Sequence, residues 1–289
     1  MQPHQHTLAQ RVTFTGRGLH TGKLARITLH PAPINHGIVF QKCTANGIKL
    51  ASIPALWHSV HDMPLCTCIA QGSWFVRTVE HLLAALYALQ IDNALVEIVG
   101  DEVPIFDGSS AVFVQHLQQA GIMAQAQARQ SIRILKHIEY VEGNKRVAIE
   151  PAPNFSVDVT ISLKKIGMLN WQGEITPNTI LQELAFARTF GRLIPGMIAQ
   201  VASLFRKVPV GLGAHPGSVI LLLGNKGITR GGLRAPDEYV RHRVIDLIGD
   251  MCLAGHPLQA KVTTYSTAHR LNHRLLDKVF ADPEAWCWA

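Results

Sequence analysis

Apolar and polar positions alternate at period two over residues 11–15 and 25–30, which predicts two half-buried strands parted by the turn-forming Gly16-Arg-Gly18 and Thr21-Gly22. Residues 38–42 and 65–70 continue the strand pattern. The period then changes. Residues 78–89, Thr-Val-Glu-His-Leu-Leu-Ala-Ala-Leu-Tyr-Ala-Leu, carry apolar side chains at three- and four-residue spacing and predict a helix with Thr78 as its N-cap. A strand follows at 94–99 and a second helix at 112–120. Residues 123–130, rich in Ala and Gln without a core pattern, read as a linker.

The second half repeats this order. Strands are predicted at 132–135, 146–150 and 157–162, a short helix at 180–187 and a buried strand at 218–223. A long amphipathic helix at 238–253, a strand at 259–265 and a last helix at 268–280 complete it. Two runs of strands followed by helices predict an α+β protein of two similar domains, each a sheet layered against helices, over residues 1–124 and 131–289. The duplication is read from element order, since no repeat is visible residue by residue.

Composition narrows the functional classes. With 47% hydrophobic and 16% charged residues in 289, the chain can build a substantial core. Its net charge of +7 suits an anionic small molecule or a membrane surface. No basic run with interleaved aromatics marks it for nucleic acid. Apolar runs such as 219–223 are far short of the ~20 residues of a membrane span, which leaves only peripheral membrane contact open. The N-terminus has no basic-then-apolar leader, and five cysteines form neither an even framework nor a CxxC pair; a reduced, cytoplasmic protein is expected. Cys66 and Cys68 alternate as on a strand and read as core residues.

Three features carry candidate chemistry. Glu80 and His81 open the first helix, about 100° apart around its axis, so both can border one cavity. His242 and Asp246, four apart, share one helical face, the spacing at which two side chains can bind one metal. His269 follows the strand at 259–265. A hydrolytic zinc centre needs three His or carboxylate ligands and an open position for water, and His81, His242 and Asp246 would supply them. Zinc brings the pKa of its water near neutrality, Glu80 stands ready to take the proton, and His269 can protonate the leaving amine. Asp250, one turn beyond Asp246, can keep His269 charged, and Thr189 can donate to a developing oxyanion. Spacing alone leaves the plainer reading open, in which each group is solvated or ion-paired.

The strings Gly18-Leu-His-Thr-Gly22, Leu65-Cys-Thr-Cys68, Thr78-Val-Glu-His-Leu-Leu83 and Ile91-Asp-Asn93 resemble the UDP-3-O-acyl-N-acetylglucosamine deacetylases of lipid A synthesis. So do Glu102-Val-Pro-Ile-Phe-Asp-Gly-Ser109, Ala187-Arg-Thr-Phe-Gly191, residues 238–250, Gly255-His-Pro257, and His269 with Leu271-Asn272, in matching order along the chain. The resemblance implies a two-domain fold with the site between domains and removal of acetate from a 2-acetamido sugar. It also implies zinc on His81, His242 and Asp246, Glu80 as base, His269 as acid and Thr189 at the oxyanion. Iron(II) is an alternative metal, since such sites accept both. His20 and Phe190 are candidate substrate contacts, as is Arg243, which stands where the family carries a lysine.

The departures lie around the substrate. Ser266 replaces a lysine that the family directs at a diphosphate; residues 192–198 and 212–218 depart from the family's acyl-chain and glycine-rich segments. Catalytic groups kept while substrate contacts change also describe a divergent paralogue acting on another acetamido sugar or amide without a long acyl chain. A non-catalytic sugar-nucleotide binder is a third possibility, opposed by retention of the acid–base pair. His58 and His61 are expected at the surface, and Asp107 in a turn.

Overall fold

A computed structural model describes residues 3–203 and 208–289. The architecture is α+β, as the patterning predicts. In the first half, five strands form a sheet in the order Val12–Arg17, Leu24–Pro31, Ala94–Val99, Ile38–Cys43, Lys49–Pro54. The alternation at Ala25, Ile27 and Leu29 is what buries this face, with Ile27 opposite Ile98 and Leu29 opposite Val96. Helix α1 (Glu80–Ala88) is apolar nearly all round and accordingly buried along almost its whole length. Helix α2 (Ala111–Ala120) buries Phe113, Val114 and Leu117 on one side.

The second half centres on Leu258–Tyr265, whose residues are alternately buried and half-buried. It lies antiparallel to Lys145–Pro151 and parallel to both Ser156–Leu163 and Ile132–Ile134. A small sheet of Phe190–Arg192, Ile220–Leu223 and Lys226–Ile228 is bridged by helix α3 (Leu193–Ser203). Helix α4 (Glu238–Met251) packs on both α1 and helix α5 (His269–Ala281). At the α1–α4 crossing, Gly249 lets the backbones touch, since a Cβ there would lie 2.1 Å from the Glu80 carbonyl oxygen.

Four expectations are corrected. Residues 123–130 are not a linker: Ile122–Ala128 is a strand paired antiparallel with His4–Leu8. Backbone pairing holds it while most of its side chains face solvent, so no apolar alternation betrays it. Thr78 is not an N-cap, for the helix begins at Glu80 and no side chain caps it. Residues 65–67 precede rather than join their strand, which is Cys68–Gln71, in a hairpin with Trp74–Arg77. The helix expected at 180–187 is a turn capped by Thr176, Pro177–Thr179, running into a π-helical segment, Ile180–Leu184. Helix α3 was not predicted at all, because Pro195-Gly196 interrupts its pattern.

Candidate active site and metal centre

The approach to α1 is strained in a way that aims it. Thr78 has φ +58, a region β-branched residues rarely enter, and its hydroxyl donates to Glu102 Oε1 at 3.0 Å. The buried Glu102 carboxylate also accepts the backbone N–H groups of His20 (2.7 Å) and Thr21 (2.8 Å) and the Thr21 hydroxyl (2.7 Å). Gly18 makes this possible, because a Cβ there would stand 2.2 Å from Glu102 Oε2. One carboxylate thus fixes the Gly18–Gly22 loop against the residue that leads into Glu80 and His81.

His81, His242 and Asp246 are all buried, and one donor atom from each lies within 4.8 Å of the others. His81 Nε2 is 3.5 Å, and His242 Nε2 3.3 Å, from Asp246 Oδ1. A tetrahedral site with bonds of ~2.0–2.1 Å has edges of about 3.4 Å, so these spacings fit one ion. His242 Nδ1 donates to the Ala187 carbonyl at 3.2 Å, which leaves the Nε2 lone pair free for a metal. Burial pushes the His242 pKa down to about 4, keeping the ring neutral as a ligand must be. Burial opposes the Asp246 charge, but His242 and His81 outweigh it and hold the carboxyl well below its usual range. The outer oxygen, Asp246 Oδ2, accepts from Arg243 Nη1 at 2.9 Å. The donor set therefore suits a divalent cation held by two imidazoles and one oxygen.

Glu80 and His269 stand beside this cluster, Glu80 Oε1 3.8 Å from His269 Nε2. Burial raises the Glu80 pKa, while Thr67 N–H donates to its Oε2 at 3.0 Å. His269 Nδ1 donates to Asp250 Oδ2 at 2.8 Å, and Asn272 Nδ2 donates to the same oxygen at 2.8 Å. Burial alone would strip His269 of its proton. The fully buried Asp250, by charge and hydrogen bond, together with Glu80, reverses this and raises the His269 pKa to about 10. The Asp250 carboxyl is in turn lowered, since His269 overcomes the burial that opposes its charge. The cluster is thus built from both halves of the chain, from α1, α4 and the start of α5.

The other expected residues divide. Phe190 lies 6.1 Å from the His242 ring, with the Arg243 guanidinium 5.0 Å over its face. His20 is buried; Gly211 N–H donates to its Nδ1 at 3.4 Å, and burial lowers its pKa to about 4. Thr189 is held by its backbone, N–H to the Gly108 carbonyl and carbonyl to Ile220 N–H, two residues after the Ala187 that orients His242. His58 and His61 are exposed, as expected. Asp107 closes a turn by accepting from Ser109 and pairs with Arg234 at 2.7 Å. Thr67 and His273, both buried beside Asp250, were not foreseen, because a threonine in a strand-like string and a histidine on a helix carry no spacing signal of their own.

Comparison with known proteins agrees with the geometry. The profile of the UDP-3-O-acyl N-acetylglycosamine deacetylase family matches residues 5–281. Curated relatives named UDP-3-O-acyl-N-acetylglucosamine deacetylase include one from Xylella fastidiosa, 36% identical over 98% of this chain and 92% of its own length. Another, from Myxococcus xanthus, is 36% identical over 98% of this chain and 88% of its own. A third, from Neisseria meningitidis, is 35% identical over 98% and 92%. A match of this extent, on a chain whose buried His81, His242 and Asp246 meet at one point, establishes that the chain belongs to the UDP-3-O-acyl N-acetylglycosamine deacetylase family and is a hydrolytic deacetylase.

Proposed function

We propose that the enzyme removes the acetyl group of UDP-3-O-acyl-N-acetylglucosamine, a step of lipid A biosynthesis, with zinc held by His81, His242 and Asp246. The observation that carries this reading is the opposed pair beside the cluster: a buried carboxylate, Glu80, facing an imidazole kept charged by Asp250. A bound zinc would supply Lewis acidity, polarising the acetamide carbonyl and making a water acidic near neutral pH. Glu80 is placed to take the proton of the attacking water, its pKa raised by burial. His269, protonated at Nε2, gives that proton to the sugar nitrogen as the C–N bond breaks; acetate and the free amine leave. Asp250 receives the Nδ1 hydrogen bond throughout, so the ring stays aimed. Thr189 is assigned to hydrogen-bond the developing oxyanion, and His20, Phe190 and Arg243 to border the substrate.

For an acylated substrate, α3 offers an apolar surface. Ile194, Met197, Ile198 and Val201 recur at helical spacing and are each more than half exposed, directly after Phe190-Gly191. The two-domain division at residues 1–124 and 131–289 and a cytoplasmic location belong to the same reading; no helix among the described residues is long and apolar enough to cross a membrane. Iron(II) in place of zinc would leave these roles unchanged.

A second reading, a paralogue acting on a sugar without the acyl chain or the nucleotide, draws on Arg243 and Ser266. The Arg243 guanidinium is engaged by Asp246 and Phe190, and no cation occupies position 266. Metal analysis with acetate release from wild type, Glu80→Ala and His269→Ala tests the chemistry. Turnover of the acylated sugar nucleotide against its unacylated form separates the two readings: equal or faster turnover without the acyl chain favours the paralogue.

A further inference from the structure

We infer that His273 is a positioning residue for the proton donor: its ring N–H fixes the Thr67 hydroxyl on Asp250. The inference rests on the assignment of His269 as donor.

The geometry leaves little freedom. His273 is buried, its Nε2 lying 3.0 Å from Thr67 Oγ1 and 3.6 Å from Asp250 Oδ1. Thr67 has one hydroxyl hydrogen, and that hydrogen goes to Asp250 Oδ1 in a short contact. Toward His273 the Thr67 oxygen can only accept, so His273 Nε2 carries hydrogen. Thr67 also reaches the other catalytic group, its backbone N–H donating to Glu80 Oε2. One residue therefore reaches both sides, Glu80 through its backbone and Asp250 through its hydroxyl, and His273 sets the hydroxyl rotor. His269 and His273 lie one helical turn apart on α5, their rings 6.4 Å apart and 26° from parallel, both turned to the same carboxylate.

His273 also forms part of the wall of a cavity of about 480 Å3, whose other lining includes Trp57, His58, His61, Asp62 and Asp277. The charged and titratable groups around the pair are Glu80 from α1, Asp246 and Asp250 from α4, Arg274 and Asp277 from α5, and His58, His61 and Asp62 from the segment before Thr67.

The experiment compares His273→Ala, His273→Leu and His273→Gln in the metal-loaded enzyme, with His269→Ala as reference and acetate release from UDP-3-O-acyl-N-acetylglucosamine as readout. Glutamine keeps an N–H donor, leucine only the bulk, alanine neither. The expected result is a kcat lowered about tenfold in the Ala and Leu variants, a fraction of the ~10²–10⁴ a general acid contributes. KM stays within about twofold, and Gln recovers most of kcat. Wild-type kcat in Ala or Leu, a KM raised well beyond twofold, or a fall of kcat that Gln does not restore, would overturn the inference. If His269→Ala loses activity while all three His273 variants keep it, only this inference fails. If His269→Ala itself keeps activity, the donor assignment fails and takes the inference with it.

Discussion

Replacing Asp250 by Asn removes one charge and changes almost no volume, which isolates the electrostatic role of this carboxylate. Raising His269 from its ordinary 6.5 to about 10 corresponds to about 5 kcal/mol of preference for the imidazolium, at ~1.36 kcal/mol per pH unit. Asp250 supplies the largest favourable share of that preference, with Glu80 and Asp246 behind it. Asp250→Asn should therefore move the alkaline limb of kcat/KM from near pH 10 toward neutrality and cut kcat at pH 8 by ~10²-fold or more.

Stability should respond with a definite sign. A raised histidine pKa stabilises the fold fully below 6.5, progressively less above it, and not at all past about 10. The lowered Asp250 pKa stabilises above the ordinary 3.8 and loses its effect as pH falls through the folded value. Between these limits, near pH 5–6, the Asn variant should lose ~3–5 kcal/mol by denaturant titration, as for breaking a buried pair. The gap to wild type should narrow as pH rises to 10. An alkaline limb that stays in place with kcat at pH 8 within threefold of wild type, or a stability gap indifferent to pH, would refute the account of His269.

Other outcomes follow from the same geometry. Glu80→Gln should bind metal as wild type does, by elemental analysis, yet release acetate ~10²–10⁴-fold more slowly. Chelation should abolish acetate release and lower the melting temperature, with zinc restoring both; at 100 times its Kd a ligand adds ~2.7 kcal/mol. Gly249→Ala should push α4 off α1 at the Glu80 carbonyl, costing ~1–3 kcal/mol by denaturant titration and lowering kcat as Glu80 and His81 shift. Arg188→Ala should cost ~3–5 kcal/mol, measured the same way, because it strands Glu238, fully buried and paired to Arg188 Nε at 2.8 Å.

Local pattern determined much of this protein. Period-two alternation marked Leu24–Pro31 and Leu258–Tyr265, and three-to-four spacing marked α1, α4 and α5, because each element buries one face and its sequence must repeat with its own geometry. The i, i+4 relation of His242 and Asp246 was legible for the same reason, helical spacing alone putting them side by side. Pattern failed where backbone pairing or distant contact does the holding. Ile122–Ala128 is a strand through its ladder to His4–Leu8, with side chains that carry little burial signal. Thr78 looks like a cap, yet Glu102, 24 residues on, draws its hydroxyl away. Only the tertiary structure could bring His81 to His242, set Thr67 against an aspartate 183 residues later, and stack His273 behind it. Buried charge is stabilised by whichever partners the packed chain brings within about 3 Å, and sequence separation has no bearing on that distance.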